Sequence, residues 1–251
     1  MEVFFLGTGT AVPIKNHAPA GLLVVAAGQL ILLDIGPGTL TRLEAVGFSC
    51  TQLHHLLLTH FHPDHTLDLA TLLQVFNFAP GAERIEPFTI IACPGIQDFY
   101  RRLLELYPDL YPLSYELKLK QVFQDVFSIG MLKVRCAPTG HTPESIAYRM
   151  EDGSNSLVYS GDASPRGELV RLANGADMLV CECSFPAGWE TEDHLNADTA
   201  GVIAQQAGVK SLILTHTYPP AQAVDLIAQV RSHYTGAVRL AIDGLHLTVE
   251  D

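Results

Sequence analysis

The stretch that decides the fold follows a run of apolar residues and reads Thr59-His60-Phe61-His62-Pro63-Asp64-His65. Three histidines and one aspartate within six positions give a high local density of nitrogen and oxygen donors. From an extended or tightly turned backbone, His60 and His62 can point both imidazoles at one ion. Asp64 and His65 begin the next helix, where they can serve a second ion. Donors of these types hold Zn²⁺ and related cations, so the stretch predicts a metal site.

Three further donors lie where other apolar strands end. His141, Asp162 and His216 each follow a predicted strand, directly or after a short turn. In α/β proteins, ligand sites collect at strand ends. A single histidine in such a position is usually structural, but the repetition of this context beside the 60–65 cluster favours a shared function. We therefore predict that these residues complete a metal site between two sheets.

Short apolar runs and helical periodicities alternate along both halves of the chain. Each half begins with hairpin-like strands, which predicts an α/β sandwich of packed sheets with helices outside. No low-complexity segment or long linker interrupts the sequence, so we predict one domain over 1–251. The predicted strands are 3–6, 22–26, 30–34, 55–59, 88–93, 131–136, 145–150, 157–160, 178–183, 211–214 and 238–242, and the predicted helices are 66–78, 96–107, 167–174, 198–207 and 220–234.

Bulk composition limits the partners and the compartment. Lys and Arg number 15 against 27 Asp and Glu, which gives a formal net charge of −12. Nucleic-acid binders usually carry a basic face, so this balance argues against a large nucleic-acid footprint. The five cysteines form no CxxC pair and are interpreted as free thiols in a reducing compartment. The first residues lack a basic leader and no apolar run is long enough for a membrane helix, so we expect a cytoplasmic protein without a membrane segment.

The 60–65 cluster resembles the His-x-His-x-Asp-His signature of the metallo-β-lactamase superfamily. His141, Asp162 and His216 match the remaining motifs of that superfamily in order. Asp34, in a Leu-Leu-Asp-Ile-Gly stretch, looks like its first motif. The resemblance covers essentially the whole chain. It implies a four-layered αβ/βα sandwich, the metallo-β-lactamase fold, with two metal ions.

Within the superfamily, the chain is similar to the ribonuclease Z group. The resemblance rests on the glycine-rich segments 5–10 and 34–39, and on His194 in an Asp-His-Leu-Asn-Ala-Asp-Thr stretch that precedes a helix. It implies that His194 protonates the leaving oxygen or stabilises the charged phosphoryl oxygens. Hydrolysis of a phosphodiester is therefore the expected reaction.

The resemblance also implies a role for each polar residue of the site. Zn²⁺ suits a donor set of nitrogen and oxygen, and Mn²⁺ or Fe²⁺ are the alternatives. A hydroxide bridging two ions would be the nucleophile, and Asp64 would orient or deprotonate the water from which it forms. Asp34 would orient a ligand imidazole. The implied ligands are His60, His62 and His141 for one ion, Asp64, His65 and His216 for the other, and Asp162 for both.

One departure from ribonuclease Z bears on the substrate. Enzymes of that group that mature tRNA carry a long arm between the third-motif histidine and the bridging aspartate. Here only 20 residues separate His141 from Asp162, and a predicted hairpin fills them. Together with the few cationic residues, this argues against tRNA and favours a small phosphodiester.

Three alternatives stay open at the level of sequence. The same site would serve another ester, namely a lactone, phosphotriester, sulfate ester, thioester or β-lactam. A ribonuclease Z-type endoribonuclease and a metal-binding protein without catalysis are the other two. Aromatic residues in 76–80 and 106–112 are candidates for a pocket wall or an interface, and Trp189, shortly before His194, is a candidate lid. The expected assembly is a homodimer, the commonest oligomer.

Overall fold

The computed structural model describes residues 1–81 and 83–249, and within them the chain forms two seven-stranded mixed sheets. The strands are β1 (Glu2–Gly7), β2 (Gly21–Ala26), β3 (Gln29–Leu33), β4 (His55–Leu58), β5 (Phe88–Ala92), β6 (Leu117–Gln121), β7 (Val126–Ile129), β8 (Leu132–Pro138), β9 (Ile146–Glu151), β10 (Ser156–Tyr159), β11 (Met178–Glu182), β12 (Ser211–Thr215), β13 (Ala237–Leu240) and β14 (His246–Thr248). The first sheet has the order β14-β1-β2-β3-β4-β5-β6, and the second has β13-β12-β11-β10-β9-β8-β7.

Helices cover the outer face of each sheet. They are α1 (Thr39–Ala45), α2 (Pro63–Thr66), α3 (Asp68–Phe78), α4 (Ile96–Leu106), α5 (Leu169–Leu172), α6 (Ala197–Ala207), α7 (Pro219–Gln222) and α8 (Leu226–Val230). The longest are capped by local chemistry. For example, Asn196 accepts a hydrogen bond from the backbone of Thr199 at the start of α6, and Gly208 ends that helix in the left-handed conformation.

Three apolar clusters separate the layers. Val24 of the first sheet and Leu157 of the second are buried in one central core between the sheets. Leu56 packs with α3 and α4 in a second core, and Leu212 packs with α6 and α8 in a third. The order of layers is therefore helix, sheet, sheet, helix, and the predicted α/β sandwich with four layers is confirmed. Strands covered on both faces explain the nearly continuous apolar runs of the sequence.

The polar residues of the predicted site lie at the carboxyl ends of parallel strands. β3, β4 and β5 run parallel in the first sheet, and β10, β11 and β12 run parallel in the second. Their carboxyl ends carry the polar residues Asp34, His60, Asp162 and His216. These ends meet at one edge of the sandwich.

The helical predictions needed two corrections. The segment 220–234 is not one helix, because the chain breaks after α7 and the side chain of Asp225 caps a new helix by accepting a hydrogen bond from Ala228. The segment 66–78 begins earlier, as the short α2, and Leu67 joins it to α3 in helical conformation. That 1–251 is a single domain stays a prediction.

Two expectations from composition can be compared with the structure. All five cysteines are buried and free, as predicted. Among the described residues, we find no helix with both the length and the apolar character that crossing a membrane requires.

Candidate metal centre

Asp162 lies between two pairs of histidines and turns one carboxylate oxygen to each pair. Its Oδ2 is 3.7 Å from Nε2 of His60 and 3.6 Å from Nε2 of His141. Its Oδ1 is 3.2 Å from Nε2 of His65 and 3.3 Å from Nε2 of His216. Two donors bound to one tetrahedral Zn²⁺ at about 2.0–2.1 Å lie roughly 3.3 Å apart. The spacing therefore fits a carboxylate shared by two ions.

The other two predicted ligands complete these groups. Nδ1 of His62 lies 3.2 Å from Nε2 of His141, and a carboxylate oxygen of Asp64 lies 3.5 Å from Nε2 of His216. Within each group the donor atoms all lie within 4.8 Å of one another. The structure brings all seven predicted ligands together, in the sets His60, His62, His141 and Asp162, and Asp64, His65 and His216.

Buried atoms without partners test whether a metal fits here. Nε2 of His60, His65 and His216 and Oδ1 of Asp162 are buried and make no hydrogen bond within the described part of the chain. Burying polar atoms without partners is costly, so their convergence on one point indicates missing ligand bonds. Burial also lowers the pKa of His60 well below its ordinary value, and the charge of His65 acts in the same direction. Metal binds the neutral ring, so His60 is already in the binding form. His65 would release a proton on binding metal, because Asp162 and Asp34 raise its pKa although burial opposes them.

Asp34 contacts two of the proposed ligand histidines, His65 directly and His60 through Thr59, where the resemblance implied one. Its Oδ2 lies 2.8 Å from Nδ1 of His65. It also accepts hydrogen bonds from the hydroxyl of Thr59 and from Tyr159, whose hydroxyl lies 3.0 Å away. Since the Thr59 hydroxyl donates to Asp34, it accepts from Nδ1 of His60 at 3.0 Å. Each Nδ1 is therefore occupied, and each Nε2 faces the centre.

His141 and His216 are also oriented through a contact of Nδ1. Nδ1 of His141 donates to the backbone carbonyl of Asp193 at 2.7 Å. The hydroxyl of Ser184 donates to Glu182 at 2.6 Å and lies 3.3 Å from Nδ1 of His216, from which it can accept. Sequence reasoning missed both partners, because neither a backbone carbonyl nor a serine stands out from the pattern.

Two glycines allow the backbone segments of the site to approach each other. A Cβ on Gly36 would lie 2.1 Å from the carbonyl oxygen of Asp64. A Cβ on Gly161 would lie 2.6 Å from the side chain of Thr59, and Gly161 itself has a φ of +55°. These contacts explain the glycine that follows Asp34 by two positions and the one that precedes Asp162.

Glu182 is the functional residue that sequence reasoning missed. It ends β11 fully buried, and its carboxylate lies 3.0 Å from Nδ1 of His194. Burial alone would lower the pKa of His194, but the hydrogen bond and the charge of Glu182 outweigh burial and raise the pKa to about 9. The ring of His194 lies 4.6 Å from that of His141, between centroids. The sequence does contain a signal for this residue, because Glu182 is the only charged residue in the apolar strand β11.

The segments 76–80 and 106–112, which contain the ends of α3 and α4, lie away from this centre. Phe78 and residues 106–110 line a cleft of about 460 Å³ between α3 and α4, and none of the residues lining it is a predicted ligand. Trp189 does lie near the centre, because its ring stacks on Phe185, which contacts His194.

Comparison with known proteins identifies the family. Residues 18–201 match the model of the metallo-beta-lactamase superfamily. A ribonuclease Z of Mycolicibacterium gilvum is 32% identical over 277 residues, covering 98% of this chain and 95% of that protein. The chain belongs to the metallo-β-lactamase superfamily and, within it, is ribonuclease Z-like. It is therefore a metal-dependent hydrolase, and divalent metal is its expected cofactor.

Solved structures agree on the fold. The metallo-beta-lactamase fold protein YhfI from Bacillus subtilis superposes with a TM-score of 0.85 at 25% identity, covering 98% of both chains. The short form of human tRNase Z superposes with a TM-score of 0.82 at 22% identity over the full length of both chains.

The comparisons weaken the expectation that tRNA is not the substrate. In the described residues, the segment between His141 and Asp162 holds only the hairpin of β9 and β10, as predicted. However, curated relatives that align along 98% of this chain carry the name ribonuclease Z. RNA therefore stays open as a substrate.

Proposed function

We propose that the protein is a phosphodiesterase that uses two divalent metal ions, with Zn²⁺ favoured over Mn²⁺ and Fe²⁺. When bound, two such ions supply a water of lowered pKa and neutralise charge on the phosphoryl group. The proposed ligands are Asp162 and the six residues gathered around it. The donor set supports this assignment, since it contains histidine and carboxylate and no thiolate.

The observation that carries the proposal is the hydrogen bond between Glu182 and His194. With a pKa of about 9, His194 is protonated at neutral pH and has a proton to give. Its ring lies 4.6 Å from that of His141 and 5.7 Å from that of His216, so it borders both groups of ligands. A positioned acid serves the departure of an alkoxide, the leaving group of a phosphodiester.

Asp64 is proposed as the residue that orients the attacking water and accepts its proton. Its carboxylate faces Nε2 of His216 and lies beside Asp162, where the two groups of ligands meet. His194, whose ring borders those of His141 and His216, is proposed to protonate the leaving oxygen. Asp64 would thus act on the attacking water, and His194 on the leaving group.

A small phosphodiester is the favoured substrate. Four residues connect β9 and β10, so this hairpin offers no long surface for a folded RNA. The formal net charge of −12 also opposes a polyanion. RNA 3′ processing is the second candidate, and the curated relatives named ribonuclease Z favour it. A cytoplasmic location and a homodimer remain part of the proposal.

Metal analysis followed by an ester panel tests this function. We expect two metal equivalents and turnover of alkyl and p-nitrophenyl phosphodiesters, with little activity on lactones, sulfate esters and β-lactams. His62→Ala should lose one metal and most activity, whereas His246→Ala, which removes a histidine that pairs with Glu2 on β1, should lose neither. Turnover that survives complete removal of metal would contradict the proposal, and faster processing of a tRNA precursor would favour the second candidate.

The leaving group distinguishes the role of His194. In His194→Ala we expect kcat for a methyl phosphodiester to fall by about 100-fold or more, because a positioned acid contributes about 10²–10⁴-fold. A p-nitrophenyl ester needs little protonation, so its kcat should fall much less. An equal loss on both esters would mean that His194 is not the acid.

A further inference from the structure

Three aromatic rings form a continuous stack beside His194. The ring of Phe185 is parallel to that of Trp189, with centroids 5.1 Å apart and an interplanar angle of 4°. It is also nearly parallel to the ring of Tyr218, at 5.2 Å and 14°. We name Trp189, Phe185 and Tyr218 the aromatic stack. Neither the ligand set nor the proposed acid uses it.

The inner end of the stack borders the metal centre. The ring of Tyr218 lies 5.8 Å from that of His194 and 5.9 Å from that of His216, edge to face in both cases. The inner end of the stack therefore contacts both the proposed acid and a proposed ligand.

The outer end of the stack is open to solvent. Trp189 is 43% exposed, which is high for the largest side chain of the chain. Two ring-to-ring steps, of 6.1 Å from His194 to Phe185 and 5.1 Å from Phe185 to Trp189, connect it to the proposed acid. The exposed ring of Trp189 is thus linked to the metal centre through Phe185.

Hydrogen bonds fix the loop that carries Trp189. Its carbonyl accepts from the side chain of Asn196, the residue that caps α6, at 2.9 Å. Its backbone N–H donates to Pro186, and that of Gly188 donates to Asp198 at 2.8 Å. A ring held in place before binding loses little conformational entropy on stacking, so the stack is organised for a ligand.

Charge around the outer end indicates what it binds. Glu190, Glu192 and Asp193 follow Trp189 in the same loop. The cation beside them, Arg166, already pairs with Glu192 at 3.3 Å and with Asp193 at 3.4 Å. A phosphate would be repelled here, whereas an uncharged planar ring would not.

We propose that Trp189 stacks on the nucleobase of a nucleotide diester whose phosphate occupies the metal centre. The inference rests on the proposed function and adds the residue that would recognise the base. The substrate class itself, a nucleoside phosphodiester, is the one that the relatives' name ribonuclease Z suggests. Stacking on aromatic side chains accepts every base, because each base has a π-face. The stack therefore selects for a base without selecting which one.

Fluorescence tests the stack without any turnover. Trp189 is the only tryptophan of the chain, so the emission of the whole protein reports on this position. Titration with uridine 5′-monophosphate should quench the emission to saturation, and ribose 5-phosphate should not. Equal responses to both ligands, or no response to the nucleotide, would overturn the proposal.

Kinetics of matched variants give a second test. Trp189→Leu should raise KM for the methyl diester of uridine 5′-phosphate by about 5- to 150-fold, the range expected for loss of one stacked base. Its KM for the methyl diester of ribose 5-phosphate should not change, and Trp189→Phe should recover part of the loss. Tyr111→Leu, which removes an exposed ring from another loop, should have no effect on either substrate.

The two tests separate this inference from the proposed function. Hydrolysis of both diesters with the same KM in the wild type and in Trp189→Leu would refute the stack and leave the phosphodiesterase intact. Failure to hydrolyse any diester with two metals bound would refute the proposed function, and the fluorescence titration would still decide whether Trp189 binds a base.

Discussion

At the scale of single residues, the buried carboxylate of Glu182 controls His194. Besides His194, it accepts hydrogen bonds from the backbone of Ala163 at 2.6 Å and of Leu195 at 3.2 Å, and from the hydroxyl of Ser184. A carboxylate held by this many donors cannot rotate freely, and it carries its charge in a place where water does not screen it. The carboxylate of Glu182 therefore determines both the orientation and the proton affinity of His194.

The pH profile of Glu182→Gln tests this control. An acid must be protonated, so wild-type activity on an alkyl diester should fall as the pH rises through about 9, the pKa of His194. Glutamine keeps an acceptor for the ring but removes the charge, which lowers that pKa toward the ordinary value of about 6.5 or below. The alkaline loss of kcat should therefore begin roughly two pH units lower. Identical pH profiles for the two proteins would show that Glu182 does not determine the pKa of His194.

The proposed ligands and one of their supports, Asp34, were predictable from sequence, whereas the other supports were not. His60, His62 and Asp64 are consecutive enough to be recognised as one cluster, and Asp162 repeats their context at another strand end. The partners that orient them are single hydroxyls, carbonyls and one buried carboxylate from distant segments. Contacts of that kind depend on how strands align in space, and local pattern carries little of that information.

At the scale of elements, the turn after β3 packs against the start of α2. The N–H of Ile35 donates to the carbonyl of His65 at 2.8 Å, and Gly36 touches the carbonyl of Asp64 closely enough to exclude any side chain. His62 and Pro63 begin α2 in the conformations that a helix start favours. Proposed ligands of both ions therefore come from one short segment of the chain. The turn and the helix therefore act as one unit in positioning Asp64 and His65.

A single methyl group should disrupt that unit. Gly36→Ala puts a Cβ 2.1 Å from the carbonyl oxygen of Asp64, so the backbone of α2 must move. We expect a loss of about 1–3 kcal/mol of stability and a lower metal content, measured by unfolding and by elemental analysis. Gly28→Ala is the control: its φ of +73° costs about 1–2 kcal/mol, but no atom lies within 4 Å. If both variants keep two metal equivalents, the packing of Gly36 does not position the ligands.

Strands in the middle of the sheets were predicted and most edge strands were missed. β6, β7 and β14 lie at sheet edges, and none of them was predicted from the sequence. β6 reads Leu-Lys-Leu-Lys-Gln and is largely exposed, so the apolar runs that reveal a central strand are absent. Lysines on such an edge discourage pairing with another chain, which explains the sequence but conceals the strand.

At the scale of the whole molecule, the two sheets are joined by a polar centre as well as by an apolar core. The ligands come from both sheets, and Asp162 of the second sheet faces His60 and His65 of the first. Without a cation, buried carboxylates and imidazoles with unpaired atoms oppose the association of the sheets. With cations bound, the same atoms would hold the layers together.

Removal of metal should therefore destabilise the entire fold. A ligand that binds only the folded state at 1,000 times its Kd adds about 4 kcal/mol, and for a chain of this length that corresponds to roughly 10 °C in Tm. We expect a chelator to lower the Tm of the wild type by an amount of this order, and readdition of Zn²⁺ to restore it. In Asp162→Ala, which removes the shared carboxylate, the chelator should have little effect. His246→Ala should respond as the wild type does. If the chelator strips the metal and leaves the wild-type Tm unchanged, the centre does not join the two sheets.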